Sequence, residues 1–145
     1  MTNPGVKFPP PLIFVVLFAA GLTLDHFFPA PLRPLAWVLV VAGLVVGGWA
    51  LLTCWRAGTP VLPHKSAACL VKKGPFRFSR NPMYLSLSAI YLGLALWLQS
   101  LFAILLLPLA LYLVWLLVIR REEAHLQHVF GEDYRHYCAK VRRWF

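Results

Sequence analysis

The sequence predicts an all-α protein: an integral membrane helical bundle of about four transmembrane helices, with a cytoplasmic connector and a C-terminal amphipathic helix. Three observations carry that prediction. Of 145 residues, 60% are hydrophobic and only 13% charged, whereas a soluble domain carries about 25% charged residues. The apolar residues fall in long blocks, one of which runs 37 residues, from 83 to 119, without a charge. Thirteen of the fourteen lysines and arginines also lie in segments that four spans place on one side, as the positive-inside rule requires. At this length the expectation is a single domain, residues 1–145.

The first block, residues 12–28, is just long enough to span if tilted. Few charges and four prolines precede it and no small-residue cleavage site follows, so it reads as a retained helix and not a signal peptide. Asp25 and His26 at its end suit the head-group level. Pro29-Ala30-Pro31-Leu32-Arg33-Pro34 reads as a tight turn.

The second block, residues 35–55, is the cleanest span. Its Gly43 and Gly47 form a G-x-x-x-G pattern that permits close helix packing. An intramolecular contact is favoured over a dimer face. Residues 56–80 form a basic connector containing Pro60, Pro63, Gly74 and Pro75, too long to be only a turn.

One helix over residues 83–119 would be about 55 Å long, against a bilayer core of about 30 Å. The polar pair Gln99-Ser100 near its middle divides it into spans 83–98 and 101–119 joined by a very tight turn. Pro108 is expected to kink the second of these, which bundle neighbours tolerate. From Arg120 onward, Leu126, Val129, Phe130, Tyr134, Tyr137 and Val141 recur at spacings of three or four between polar residues. This is an amphipathic helix, with a break expected at Gly131. With Lys7 cytoplasmic and only Arg33 on the far side, both termini are cytoplasmic.

The net charge of +9 raises the question of nucleic acid. The basic residues flank apolar blocks with no aromatic-rich basic module, so anionic membrane lipids are the expected partners and nucleic acid is not. Cys54, Cys69 and Cys138 have neither disulfide-framework nor zinc spacing, and Cys54 reads as a small packed residue. Glu122, His125 and His128 include a Glu-x-x-His step, but di-iron bundles need a second copy on a facing helix. His26, His64 and His136 do not supply one, so no metal is expected and His125 and His128 read as solvated.

Two polar clusters meet at the cytoplasmic face, over residues 64–84 and 120–143. In the first, Pro82 suits the opening turn of a helix and Asn81 its N-cap. The free N–H groups there, with Arg77 and Arg80, suit an anion. In the second, Glu122 and Glu123 are adjacent carboxylates suited to ribose hydroxyls or an ammonium group. Neither a Walker-type phosphate loop nor a glycine-rich dinucleotide fingerprint occurs.

Together these clusters resemble the isoprenylcysteine carboxyl methyltransferase and phospholipid methyltransferase superfamily. The match runs through Leu70-Val71, Gly74-Pro75-Phe76-Arg77 and Ser79-Arg80-Asn81-Pro82-Met83-Tyr84. It resumes at Arg121-Glu122-Glu123, Leu126, Phe130-Gly131, Tyr134, Tyr137 and Val141-Arg142-Arg143, and covers roughly residues 60–145.

The resemblance implies S-adenosylmethionine as methyl donor and a lipophilic small molecule or lipid as acceptor. It implies Leu70, Val71, Gly74, Arg80, Asn81, Pro82, Tyr84, Glu122 and Glu123 as cofactor-binding residues, with Arg80, Glu122 and Glu123 as the catalytic set. Prenylcysteine enzymes commonly have Arg-His-Pro where this chain has Arg80-Asn81-Pro82, and Asn, unlike His, carries no proton near neutral pH, which argues against a His-dependent role and a prenylcysteine acceptor. The alternative is a non-enzymatic multi-pass membrane partner or transport subunit, in which both clusters are caps and topology signals.

Overall fold

A computed structural model describes residues 10–25, 36–59 and 69–144. Among them the chain is all-helical. In order these are α1 (Pro10–Asp25), α2 (Ala36–Arg56), a 3-10 turn (Gly74–Arg77), α3 (Pro82–Trp97), α4 (Leu101–Val114), a π-helical turn (Trp115–Ile119) and α5 (Arg120–Lys140). The expected turn at residues 29–34, together with Lys7, His26, Arg33, Pro60, Pro63, His64 and Lys65, lies outside the described residues.

Two stretches are long and apolar enough to cross a membrane by length and composition: Ala36–Arg56 and the continuous Leu101–Lys140. The other two apolar helices, Pro10–Leu24 and Pro82–Trp97, are shorter. At fifteen and sixteen residues they make about 22–24 Å of helix, less than a bilayer core of about 30 Å.

Each stop has a local cause. Past Arg56, Gly58 takes the left-handed conformation (φ +65°), and the Thr59 N–H turns back to the Cys54 carbonyl at 3.2 Å. That is a glycine-terminated cap. Between α3 and α4 the same geometry recurs without glycine. Gln99 sits at φ +58°, the Ser100 N–H donates to the Ala95 carbonyl at 2.8 Å, and the Ser100 hydroxyl accepts from the Ala103 N–H at 3.0 Å. Ser100 is therefore both the end of one cap and the start of the next, so the expected tight turn needs only three residues. α4 continues through Pro108.

Small residues bring the helices together. A Cβ on Gly43 would stand 2.6 Å from Ile90 Cγ1 and 2.8 Å from the Ser86 carbonyl oxygen, and the Ser86 hydroxyl donates to the Gly43 carbonyl at 2.7 Å. The glycine pattern of α2 thus serves contact with α3 inside one chain. On the other side Gly21 of α1 packs against the Ala103 backbone of α4, where a Cβ would come within 2.6 Å. The main core gathers Phe14, Tyr84, Tyr91, Ala95, Ala103, Ala110, Val114, Val118 and Ile119. Outward residues of α2 such as Val38, Val41, Leu44 and Val45 stay exposed, as for a helix facing lipid.

α5 is amphipathic and bends where the sequence places its glycine: Gly131 takes φ +50° and ψ −118°. Beyond it Tyr134, Tyr137 and Val141 form a second buried cluster, with Leu70, Leu126, Phe130 and Cys138 packed on it. The connector and the tail are therefore held to each other. Cys54 is buried, as its apolar setting suggests.

Candidate functional site

The hairpin of α3 and α4 returns the chain so that the start of α3 faces the start of α5. The Tyr84 hydroxyl donates to Glu122 Oε2 at 2.9 Å. Arg80 Nη1 lies 3.2 Å from Glu123 Oε1. The two sequence clusters therefore converge through side-chain pairs, among them one with a neutral donor and one ionic.

The neighbouring carboxylates differ in character. Glu123 is held by two guanidinium groups: besides Arg80, Arg143 donates to Oε1 through Nε at 2.9 Å and to Oε2 through Nη2 at 2.8 Å. This two-point fork is the strong form of an arginine–carboxylate pair. Glu122 has Tyr84, and its carboxyl is pushed up to about 7. Burial is the main cause; the Tyr84 hydrogen bond opposes it and the charge on Glu123 adds to it.

Arg80 is pinned at both ends. Its N–H donates to the Arg142 carbonyl at 3.0 Å, and Nη1 also donates to Cys138 Sγ at 2.9 Å. Its Nε is buried with no hydrogen-bond partner among the described residues. Glu123 draws Arg80 inward, while Arg77 stays exposed.

Asn81 holds the expected N-cap position without the expected bond. It precedes Pro82 at the head of α3, yet its side chain makes no capping bond. Its Nδ2 donates instead to the Arg143 carbonyl at 3.2 Å, and its N–H donates to Ser79 Oγ at 3.1 Å. The Tyr84 N–H, which a capping side chain would take up, donates instead to the Asn81 carbonyl at 3.2 Å. His125 is a second departure: it is partly buried, with Nε2 enclosed and without a partner among the described residues, whereas His128 is exposed.

The remaining candidates frame this centre. Leu70 packs on the Tyr134–Tyr137–Val141 cluster, and Val71 is half-buried beside it in sequence. Gly74 opens the 3-10 turn at φ +58°, and a Cβ there would stand 2.7 Å from Thr53 Oγ1 of α2. Its glycine is thus required by backbone shape and by contact with α2. The Tyr137 hydroxyl fixes that turn by donating to the Phe76 carbonyl at 2.7 Å. Sequence reasoning had Ser79, Arg143 and Tyr137 only as parts of a motif and gave Cys138 no role. The available signal was Gly131, which lets the tail leave the α5 axis.

The profile of the phospholipid methyltransferase family matches residues 32–133. The chain belongs to that family. Membership implies methyltransferase activity on lipid-type substrates and makes this a membrane protein, in keeping with its two long apolar helices. The matched stretch contains Arg80, Tyr84, Glu122 and Glu123 and ends ten residues before Arg143. An uncharacterized protein of Haemophilus influenzae (strain ATCC 51907 / DSM 11121 / KW20 / Rd) is 44% identical over 62 residues, which is 43% of this chain and 98% of that relative. No solved structure matches the chain.

Proposed function

We propose that the protein transfers a methyl group from S-adenosylmethionine to a small lipophilic or membrane-embedded acceptor, with the donor held where the starts of α3 and α5 meet. The observation that carries this reading is the convergence of Arg80 and Tyr84 with Glu122 and Glu123. The donor set fits the cofactor. A buried, unpartnered Arg80 Nε suits a carboxylate oxygen, and Glu122 beside Tyr84 suits ribose hydroxyls or an ammonium group.

When bound, the cofactor supplies an electrophilic methyl group on a positively charged sulfur. The chain's own work is then binding, alignment and exclusion of water. In this reading Arg80, Asn81 and Tyr84 line the methionine end and Glu122 and Glu123 the polar hydroxyls or ammonium. The Leu70–Val71 backbone borders the adenosyl part, while Gly74 and Pro82 set the backbone on which these groups sit. α1, α2, α3 and α4 serve as four spans, and the site and both termini lie on the cytoplasmic side, where the basic residues concentrate. Arg80, Glu122 and Glu123 form the catalytic set.

Isothermal calorimetry with S-adenosylhomocysteine, in detergent and in bilayers, tests this. Binding by the wild type is expected, weakened by Glu123→Gln and by Tyr84→Phe. No binding in either medium overturns the function, and unchanged affinity in both variants overturns the site.

A further inference from the structure

The segment after α5 is held at several points. The Arg142 carbonyl accepts from the Arg80 N–H at 3.0 Å. The Arg143 carbonyl accepts from Ser79 Oγ and from Asn81 Nδ2, each at 3.2 Å. Val141 packs into the tyrosine cluster on one side, and Trp144 packs against the main core on the other. The Arg143 backbone is thereby fixed at the head of α3, and its guanidinium fork lies on Glu123.

We propose that Arg143 is a positioning residue, which holds the Glu123 carboxylate at a set angle to Arg80 and so shapes the cofactor side of the site. This rests on the donor site proposed above. Arg80 alone engages one oxygen of Glu123, at 3.2 Å, which leaves the carboxylate free to rotate about its bond. Arg143 takes both oxygens and removes that freedom. Rotation of Glu123 would release Arg80, whose Nη1 is shared with Cys138 and whose Nε is the buried unpartnered donor. The influence of Arg143 therefore passes through Glu123 to Arg80. A tail arginine on a solvated acid contributes little. Here the Glu123 side chain is 19% exposed and the pair is two-pointed, a geometry that restricts both groups.

The test is a double-mutant cycle read by calorimetry with S-adenosylhomocysteine. Arg143→Gln is expected to weaken binding about tenfold, the loss of a charge-assisted fork. In a Glu123→Gln background the same substitution is expected to change affinity by less than about twofold, since its route is already cut. Arg143→Lys, which keeps the charge without the fork, should fall between. Unchanged affinity in Arg143→Gln overturns the proposal, as does a loss that adds fully to that of Glu123→Gln. If Arg143→Gln fails to fold, the same cycle is read with Arg143→Lys, with the same two overturning results. A wild type that binds no S-adenosylhomocysteine overturns the donor site itself, and this proposal with it.

Discussion

Glu122 is expected to make the protein less stable as pH rises from about 5 to about 7, the reverse of an ordinary surface carboxylate. Its folded carboxyl titrates near 7, against 4.5 for an unperturbed one. Between those values the folded chain keeps a proton that the unfolded chain has released. Stability therefore falls through that window and is flat above it. At 1.36 kcal/mol per pH unit the full penalty is about 3 kcal/mol. Glu122→Gln removes the titration while keeping a polar side chain of the same shape. Thermal unfolding of the cofactor-free protein in detergent, followed by circular dichroism at pH 5 and pH 8, reads the effect. About 2.5 kcal/mol of that falls between the two pH values, so the wild type should lose about 5–10 °C more than Glu122→Gln, taking 2–4 °C per kcal/mol for a chain of this size. Equal pH slopes in the two proteins would show that Glu122 titrates as an exposed acid. The assignment of Glu122 as the proton-exchanging member of the pair would then fall.

Two further outcomes test the frame that holds the site. Gly43→Val should separate α2 from α3, because even a Cβ meets Ile90 at 2.6 Å and the Ser86 carbonyl at 2.8 Å. Overpacking of this kind costs about 1–3 kcal/mol, read as a lower Tm, and a Tm equal to wild type would refute the intramolecular contact. Gly131→Ala meets no atom within 4 Å, so only its φ of +50° opposes the change. A loss of about 1–2 kcal/mol in the same assay is expected, whereas a gain would mean that α5 straightens through this position.

Much of the frame was legible because its causes are local. A chargeless run of 37 residues exceeds what a membrane accommodates, and Gln99-Ser100 is the polar pair within it where a turn costs least. Gly131 likewise announced the bend in α5. Asn81 does sit at the N-cap of α3, but its side-chain partner lies far along the chain: Nδ2 donates to the Arg143 carbonyl, 62 residues away. No spacing rule contains that choice. The roles of Glu122 and Glu123 were also hidden, although both residues were in view. Neighbours on a helix diverge by about 100°, so two adjacent acids cannot face the same partner. Which acid faces which partner depends on the π-helical turn at Trp115–Ile119, just before α5. A π turn holds more residues than an α turn, so it rotates every later side chain relative to α4. The observed rotation gives Glu122 to Tyr84 and leaves Glu123 between Arg80 and Arg143. One acid is thereby held between two guanidinium groups, while burial pushes the carboxyl of the other up to about 7. That division of labour follows from a helical irregularity that no apolar periodicity in this stretch reveals.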